Sequence, residues 1–319
     1  MNITLTELRY ITAVARERHF GRAAQACFVS QPTLSVGVKR LEDALGVQVF
    51  ERSSRNEVRL TDAGEKLVEQ AQRVLDEVEG LRQLAQSQKD PLVGPLRVGV
   101  IYTIGPYLLP GLIPALHEAA PQMPVLIEEG YTHVLAEKLV RGELDAVVLS
   151  LPFTLPGLRV APVYREPFVV ALPASHAWAS HERILARDLS EADLLLLGPG
   201  HCFRDQVLGL CPSCARSASA GLMQRTLEGG SLETIRMMVA TGVGVTVLPC
   251  TSTLGAAGDS GGLIVYRPFA DPAPTRDVGV AWRKRFVRPG AVALLREKII
   301  ACAPPCVVTL PEAPIQDAP

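Results

Sequence analysis

The chain lacks any apolar run approaching the ~18 residues that a membrane span needs, although 48% of its 319 residues are hydrophobic. It also lacks an apolar leader. MNITLTELRYITAVARERHF carries Glu7 and Arg9 inside an amphipathic pattern, which speaks against a secretory signal. These absences predict a cytoplasmic protein in a reducing compartment, where standing disulfides are rare and a cysteine pair points to catalytic or redox chemistry. A surplus of either charge is missing too: 32 Lys and Arg stand against 33 Asp and Glu. Any nucleic-acid surface must therefore be local. The seven cysteines are an odd number, which excludes complete pairing within one chain. No second C-x-x-C accompanies Cys211-x-x-Cys214, which argues against a structural zinc site. What is left is the composition of a globular chain long enough for two domains.

The first 61 residues read as a winged helix-turn-helix. Leu8, Ile11, Val14 and Ala15 recur at helical spacing after Thr6, which the pattern makes the N-cap. The Ala-rich GRAAQACF follows. Ser30 then caps QPTLSVGVKRLEDALG, with Pro32 in the first turn, where its missing N–H costs nothing. Leu34, Val38, Leu41 and Leu45 face inward. Gln31, Pro32, Thr33, Ser35, Val36 and Arg40 are left at the polar N-terminal end and outer face, suited to a major groove. VQVFER and EVRL form two short strands around Ser53–Asn56, a wing whose Arg52, Arg55 and Arg59 can hold phosphates.

Across FGRAAQACFVSQPTLSVGVKRLEDALGVQVFERSSRNEVRLTDAG the chain resembles the N-terminal signature of LysR-type transcriptional regulators, with its A-A, S-Q-P, L-E, F-x-R and L-T-x-A-G elements in place. The resemblance implies binding to double-stranded DNA.

Residues 62–90 read as a linker helix. Asp62 and Glu65 stand at capping-box spacing. Leu67, Ala71, Val74, Val78, Leu81 and Ala85 then alternate steps of four and three, an a/d seam that pairs two helices into a dimer. Proline and glycine in DPLVGPL mark the break to residues 91–305.

In 91–305, strand-like runs (LRVGVI, PVLIEEG, AVVLSL, FVVALP, LLLLGPG, VTVLP, VGVAWRK) alternate with helical ones, which argues for parallel sheets flanked by helices. The fold class is α plus α/β. The resemblance implies a two-lobed, periplasmic-binding-protein-like regulatory domain, with one lobe at about 95–165 plus 270–305 and the other between them. Ligands of open α/β sheets lie beyond the carboxyl ends of strands. Thr103, Thr132 and Cys202 follow LRVGVI, VLIEEG and LLLLGPG, so all three are expected at one crevice.

Cys202 opens HCFRDQVLGLC in a first helical turn, where the macrodipole favours a thiolate. Such a thiolate attacks peroxide, giving a sulfenic acid that a second thiol can capture. A single helix over 202–211 would hold the Cys202 and Cys211 Cα atoms roughly 13.5 Å apart. A disulfide needs about 4.4–6.8 Å, so bonding the pair requires the helix to unwind and makes oxidation a conformational signal. Cys214 leaves alternatives open: a bystander, a dithiol partner of Cys211, or, with His201, Cys202 and Cys211, a zinc ligand. Cys27 and Cys250 read as small buried residues. Cys302 and Cys306 lie at the edge of a Pro-rich tail, 306–319, expected to be mobile.

HCFRDQ with Cys211 nine residues after Cys202, together with TIGPYLLP and SLETIRMMVATGVGVTVLP, resembles the peroxide-sensing members of the LysR family. The resemblance implies a hydrogen-peroxide signal, Cys202 as peroxidatic and Cys211 as resolving thiol. It implies Thr103, Thr132, His201, Arg204 and Asp205 as peroxide-binding residues. It implies a dimer or tetramer and recruitment of RNA polymerase. No metal and no cofactor are called for. The rival readings are a small organic effector between the lobes, a thiol peroxidase and a zinc-regulated repressor.

Overall fold

The computed structural model describes residues 3–52, 58–87, 90–211, 230–254, 261–311 and 316–317. The chain divides into two units, Met1–Lys89 and Asp90–Pro319.

The first unit holds α1 (Leu5–Glu17), α2 (Phe20–Ala26), α3 (Gln31–Leu45), the hairpin β1 (Phe50–Arg52) and β2 (Val58–Leu60), and α4 (Asp62–Ser87). Thr6 is not the cap of α1. Thr4 is, because Glu7 three residues on returns its carboxylate to the Thr4 N–H at 2.9 Å while the Thr4 hydroxyl accepts from the Glu7 N–H. Thr6 has Arg9 at the matching place and gets no such return bond. Ser30 caps α3 as expected, accepting from the Thr33 N–H. Leu34, Val38 and Leu41 enter a core with Ile11, Val14 and Ala23. Glu42 on the same helix accepts the N–H groups of Val49 and Phe50 at 2.7 and 3.2 Å, so α3 also anchors the start of the hairpin.

The cap of α4 likewise differs from expectation. Asp62 is already helical, and the Thr61 hydroxyl accepts from the Gly64 N–H at 2.9 Å. The heptad seam is split. Leu67 and Ala71 pack into the head's own core, whereas Val74 and Leu81 are exposed. The Ala85 side chain lies outside the described residues, as does Arg55.

In the second unit the elements are β3 (Leu96–Ile101), α5 (Gly105–Ala119), β4 (Val125–Gly130), α6 (Thr132–Arg141), β5 (Ala146–Leu151) and β6 (Leu158–Pro173). They continue with β7 (Leu194–Leu195), α7 (Cys202–Leu210), α8 (Leu232–Ala240), β8 (Val245–Pro249), β9 (Ile264–Pro268), β10 (Thr275–Arg283), α9 (Pro289–Ala301), β11 (Val308–Thr309) and β12 (Gln316–Asp317). The sheet runs β4-β3-β5-β10-β6-β8-β7 and is mixed, not parallel throughout. β3 is parallel to β4 and β5, but β10 and β6 cross antiparallel. The alternation in sequence missed this because LRVAPVYREP, the front half of β6, does not stand out beside the stronger apolar runs.

β6 serves two cores. Leu158, Val160, Ala161, Val163 and Tyr164 pack with Leu96, Val148, Val280 and Leu295, whereas Phe168, Val170, Ala171 and Leu172 pack with Leu194, Phe203, Ile235 and Val247. Glu166 sits at the changeover with no exposed surface.

The tail differs most from expectation. Cys250 and Cys306 form a disulfide, their Cα atoms 6.3 Å apart, and β11 pairs with β6 at Arg165 and Tyr164. Residues 306–311 are therefore held on the sheet, and neither cysteine is a plain thiol. Among the described residues no helix is long and apolar enough to cross a membrane.

Gly64 lies so close to β1 that an added Cβ would overlap the Val49 carbonyl oxygen. Gly64→Ala is expected to destabilise the head by about 1–3 kcal/mol through overpacking, read as faster hydrogen exchange of α1 and α3 amides in the full chain.

Candidate functional site

Two faces bear on function. On the head, Gln31, Pro32, Thr33 and Arg40 are exposed and Ser35 partly so, while Leu34, Gly37, Val38 and Leu41 point inward. The close approach of α1 to α3 depends on Gly37: a Cβ there would stand 2.6 Å from the Tyr10 ring. Val36 is 58% exposed on the same outer face, and Phe28, in the turn before α3, is 96% exposed with φ +56°. Periodicity placed the polar residues of this face. It gave no sign of Phe28, whose exposure follows from a left-handed turn. The backbone of Arg52 is on β1, and its side chain lies outside the described residues. Residues 1–61 carry nine Lys and Arg against six Asp and Glu, a local positive surplus in a chain of net charge −1.

The second face is a crevice made by three loops, each at the carboxyl end of a strand. Tyr102 and Thr103 follow β3, Tyr131 and Thr132 follow β4, and Gly198–Gly200 with His201 and Cys202 lie beyond β7. Aromatic contacts bring the loops together. Tyr131 meets the His201 ring edge-on at 4.8 Å and Tyr102 at 5.3 Å, and Tyr102 lies 5.9 Å from His201. Gly200, at φ +96°, lets the third loop pass against Tyr131. Nothing in the sequence signalled the two tyrosines, whose role in joining the loops depends on which strands lie side by side.

Thr103 is buried, and Arg276 of β10 holds it at two points. Nη1 donates to its hydroxyl and Nη2 to its carbonyl, each at 2.9 Å. That leaves the hydroxyl hydrogen of Thr103 free to donate. Arg276 Nε in turn donates to Glu166 at 2.7 Å, and both side chains are fully buried. The other Glu166 oxygen accepts from the N–H and the hydroxyl of Thr251. The guanidinium also lies 5.2 Å from the Phe203 ring centroid on α7. Thr103 is thus placed by a charge pair reaching across 110 residues of sequence, and no local pattern announces it.

Thr132 begins α6, and its hydroxyl oxygen is buried with no hydrogen-bond partner among the described residues. The same holds for His201 Nε2. Burial lowers the His201 pKa, against a smaller opposing effect of a backbone bond at Gly230. The neutral ring is favoured, and its unpaired nitrogen can serve a polar guest.

Cys202 is a free, half-buried thiol in the first turn of α7, packed against the core of the first lobe. Cys211 ends the same helix and is buried, but it is already disulfide-bonded. Its partner is not Cys202, which is free, and lies outside the described residues, as Cys214 does. Cys202 and Cys211 are not bonded to each other, and the helix between them is intact, so the bridge expected on oxidation is not tested by this state. Arg204 donates to the Leu197 carbonyl at 2.6 Å, while Asp205 is exposed. Gln206 of α7 donates to Ser150 of β5 at 2.8 Å, and Tyr107 of α5 donates to Glu233 of α8 at 3.0 Å; both bonds join the lobes across the crevice. No cluster of three or more metal-ligating side chains occurs among the described residues.

A compact helical head with a hairpin wing, followed by a two-cored α/β domain with an interlobe crevice, defines a two-domain DNA-binding transcriptional regulator. The chain belongs to the LysR family. Residues 5–65 match the bacterial regulatory helix-turn-helix protein, lysR family, and residues 89–301 match the LysR substrate binding domain. It is 42% identical over 282 residues to the DNA-binding transcriptional dual regulator OxyR of Escherichia coli K12, covering 88% of this chain and 90% of that one. A full-length, singly substituted OxyR from Pseudomonas aeruginosa superposes with a TM-score of 0.76 at 51% identity, over 98% of this chain and all of that one. A substituted Corynebacterium glutamicum OxyR with hydrogen peroxide bound matches with a TM-score of 0.60 at 32% identity, over 95% and 93% of the two chains.

Two outcomes test the crevice. Glu166→Ala strands a buried guanidinium and is expected to cost about 3–5 kcal/mol in urea unfolding, most of it recovered when Arg276 is also replaced by methionine. The unfolded chain protonates His201 near its ordinary value of about 6.5 and the folded chain only at lower pH, so this contribution to stability is full above that value and declines below it. His201→Asn is expected to flatten that decline when urea midpoints are compared with wild type at pH about 7.5 and about 5.5.

Proposed function

We propose that the chain is a cytoplasmic, hydrogen-peroxide-sensing transcriptional regulator whose peroxide-reacting thiol is Cys202. The observation that carries this reading is the placement of a free cysteine at the first turn of α7, at a crevice formed with the Thr103 and Thr132 loops, with a second cysteine at the far end of the same helix. The names of the relatives, peroxide-inducible activators among them, support it.

The chemistry follows from the thiolate. Cys202 Sγ attacks one peroxide oxygen, the O–O bond breaks, and the departing oxygen takes a proton and leaves as water, giving a sulfenic acid. Thr103 and Thr132 hydroxyls and His201 Nε2 hold the two oxygens, and Arg204 and Asp205 complete the surroundings of the thiol. Cys211, once reduced, attacks the Cys202 sulfur and displaces the second oxygen as water. Two thiols and one peroxide thus become one disulfide and two waters. Helical geometry keeps the two Cα atoms roughly 13.5 Å apart, so closing the bond unwinds α7. That changes the Gln206–Ser150 and Phe203–Arg276 contacts to the first lobe.

Peroxide is consumed stoichiometrically, once per reduction cycle, and the protein is a sensor and not an enzyme. The exposed stripe of Val74 and Leu81 pairs two chains so that two heads meet a two-fold DNA site; dimers pair into tetramers. Gln31, Pro32, Thr33, Ser35 and Arg40 enter the major groove, with Arg52 and Arg55 on phosphates. The oxidised form recruits RNA polymerase.

A second reading rests on a cavity of about 570 Å³ lined by Leu151, Phe153, Arg165, Thr275, Asp277 and Leu310. Its size suits a small organic effector, which would act with every cysteine replaced.

Starting from fully reduced protein, one equivalent of hydrogen peroxide is expected to give a Cys202–Cys211 bridge within seconds by thiol mapping. Cys202→Ser is expected to lose the peroxide-induced change in DNA binding while keeping basal binding. Retention of the low-peroxide response in that variant overturns the proposal.

A further inference from the structure

We propose that Cys250 and Cys306 form a second redox site, a clasp that docks the C-terminal tail on β6 when oxidised and releases it to dithiol reductants. Apart from this bond the tail is held by two short pairings with β6, β11 and, at Val160 and Arg159, β12, and by Val307 against the first core. β11 is two residues long, its Val308 is 65% exposed, and it pairs with β6 only at Arg165 and Tyr164. One further backbone bond joins the Leu310 N–H to the Val163 carbonyl at 3.0 Å. Pairings of two residues each, with the β11 side chains in solvent, offer little to offset the entropy of ordering the segment. The covalent link spans 56 residues of sequence and supplies the constraint that the pairing lacks.

The two sulfurs differ in access. Cys250 is 4% exposed beneath the tail, whereas Cys306 is half-buried. A reductant thiolate therefore attacks Cys306 Sγ, the S–S bond breaks, and Cys250 leaves as thiolate. The second thiol of the reductant then attacks the mixed disulfide, freeing Cys306 and closing the reductant's own disulfide. In the reverse direction Cys306 thiolate attacks hydrogen peroxide and releases one water. Cys250 then attacks the resulting sulfenic sulfur and releases the second.

Both ends of the clasp converge on Glu166. Cys250 adjoins Thr251, whose N–H and hydroxyl bind Glu166, and β11 lies on Tyr164 and Arg165 immediately before it. Through Arg276 the same carboxylate positions Thr103. Leu310 and Pro311 also wall the cavity beside Arg165 and Asp277. Opening the clasp removes that wall and loosens both supports of Glu166. The bearing on peroxide sensing rests on the reading of Cys202 given above, but the clasp itself does not.

The test uses the full chain carrying Cys202→Ser, so that failure of the peroxide reading leaves its outcome untouched. Hydrogen exchange and thiol mapping are followed before and after dithiothreitol, and again after hydrogen peroxide. Reduction is expected to open the Cys250–Cys306 bond and speed exchange over 303–311 and at Thr251 on the order of ten-fold, and peroxide to restore both. Adding Cys306→Ser is expected to give the fast exchange under every condition, while adding Cys302→Ser leaves the switch intact. A bond that survives dithiothreitol, or tail exchange in the Cys306→Ser chain equal to that of the oxidised parent, overturns the proposal.

Discussion

Glu166 and Arg276 lie on the two long crossing strands of the regulatory unit, and neither side chain has any exposed surface. Burying a carboxylate and a guanidinium together costs several kcal/mol of desolvation per ion, repaid only where geometry and further hydrogen bonds are complete. Here they are nearly so. Arg276 also donates from each terminal nitrogen to Thr103, to its hydroxyl and to its carbonyl, and Glu166 accepts from Thr251 as well. The result ties the β3 loop, β6, β10 and the turn after β8 to one buried point. Because β6 changes from the first core to the second at this residue, the pair also sets how the lobes meet.

The crevice inherits its character from that anchor. Thr103 is held from behind, so its hydroxyl hydrogen faces no competing acceptor from Arg276. Tyr102, Tyr131 and His201 make a mostly apolar wall in front, and burial keeps the imidazole neutral. A polar guest in such a place gains strong hydrogen bonds, because few waters compete for them. Cys202 shares the apolar surroundings of the first core while its helix belongs to the second. Any change in α7 is therefore felt in both lobes. Cys211, buried in the second core at the other end of the helix, cannot approach without dismantling packing made by Phe203 and Val207.

The head works on different terms. Its core is small, and its helices depend on caps and close approaches: the Thr4–Glu7 box, Ser30 over α3, and Gly37 beneath Tyr10. Its polar face is spread along α3, and its charge surplus is confined to the first 61 residues. That separation lets one chain of nearly zero net charge keep a DNA-facing surface without a basic regulatory unit.

Much of this was legible in the residues. The 3.6-residue period of α1 and α3, the Ser30 cap, the strand-end positions of Thr103, Thr132 and Cys202, and the helix between Cys202 and Cys211 all follow from neighbours within one turn or one strand. Where two local solutions competed, the reading failed by a residue or two: Thr4 over Thr6, and Thr61 over Asp62, were decided by which side chain could reach back. The larger misses involve partners far apart in sequence. The Cys250–Cys306 bond spans 56 positions and the Glu166–Arg276 pair 110. Periodicity reports which face of an element is apolar. It cannot report which elements the chain path brings side by side, so a tail rich in proline looked free and nothing pointed to the arginine inside β10. Local chemistry determined the elements and the place of Cys202 in the first turn of its helix. Only the crossing of β6 and β10 decided what stands behind them, because a buried charge or a disulfide is made where distant segments meet.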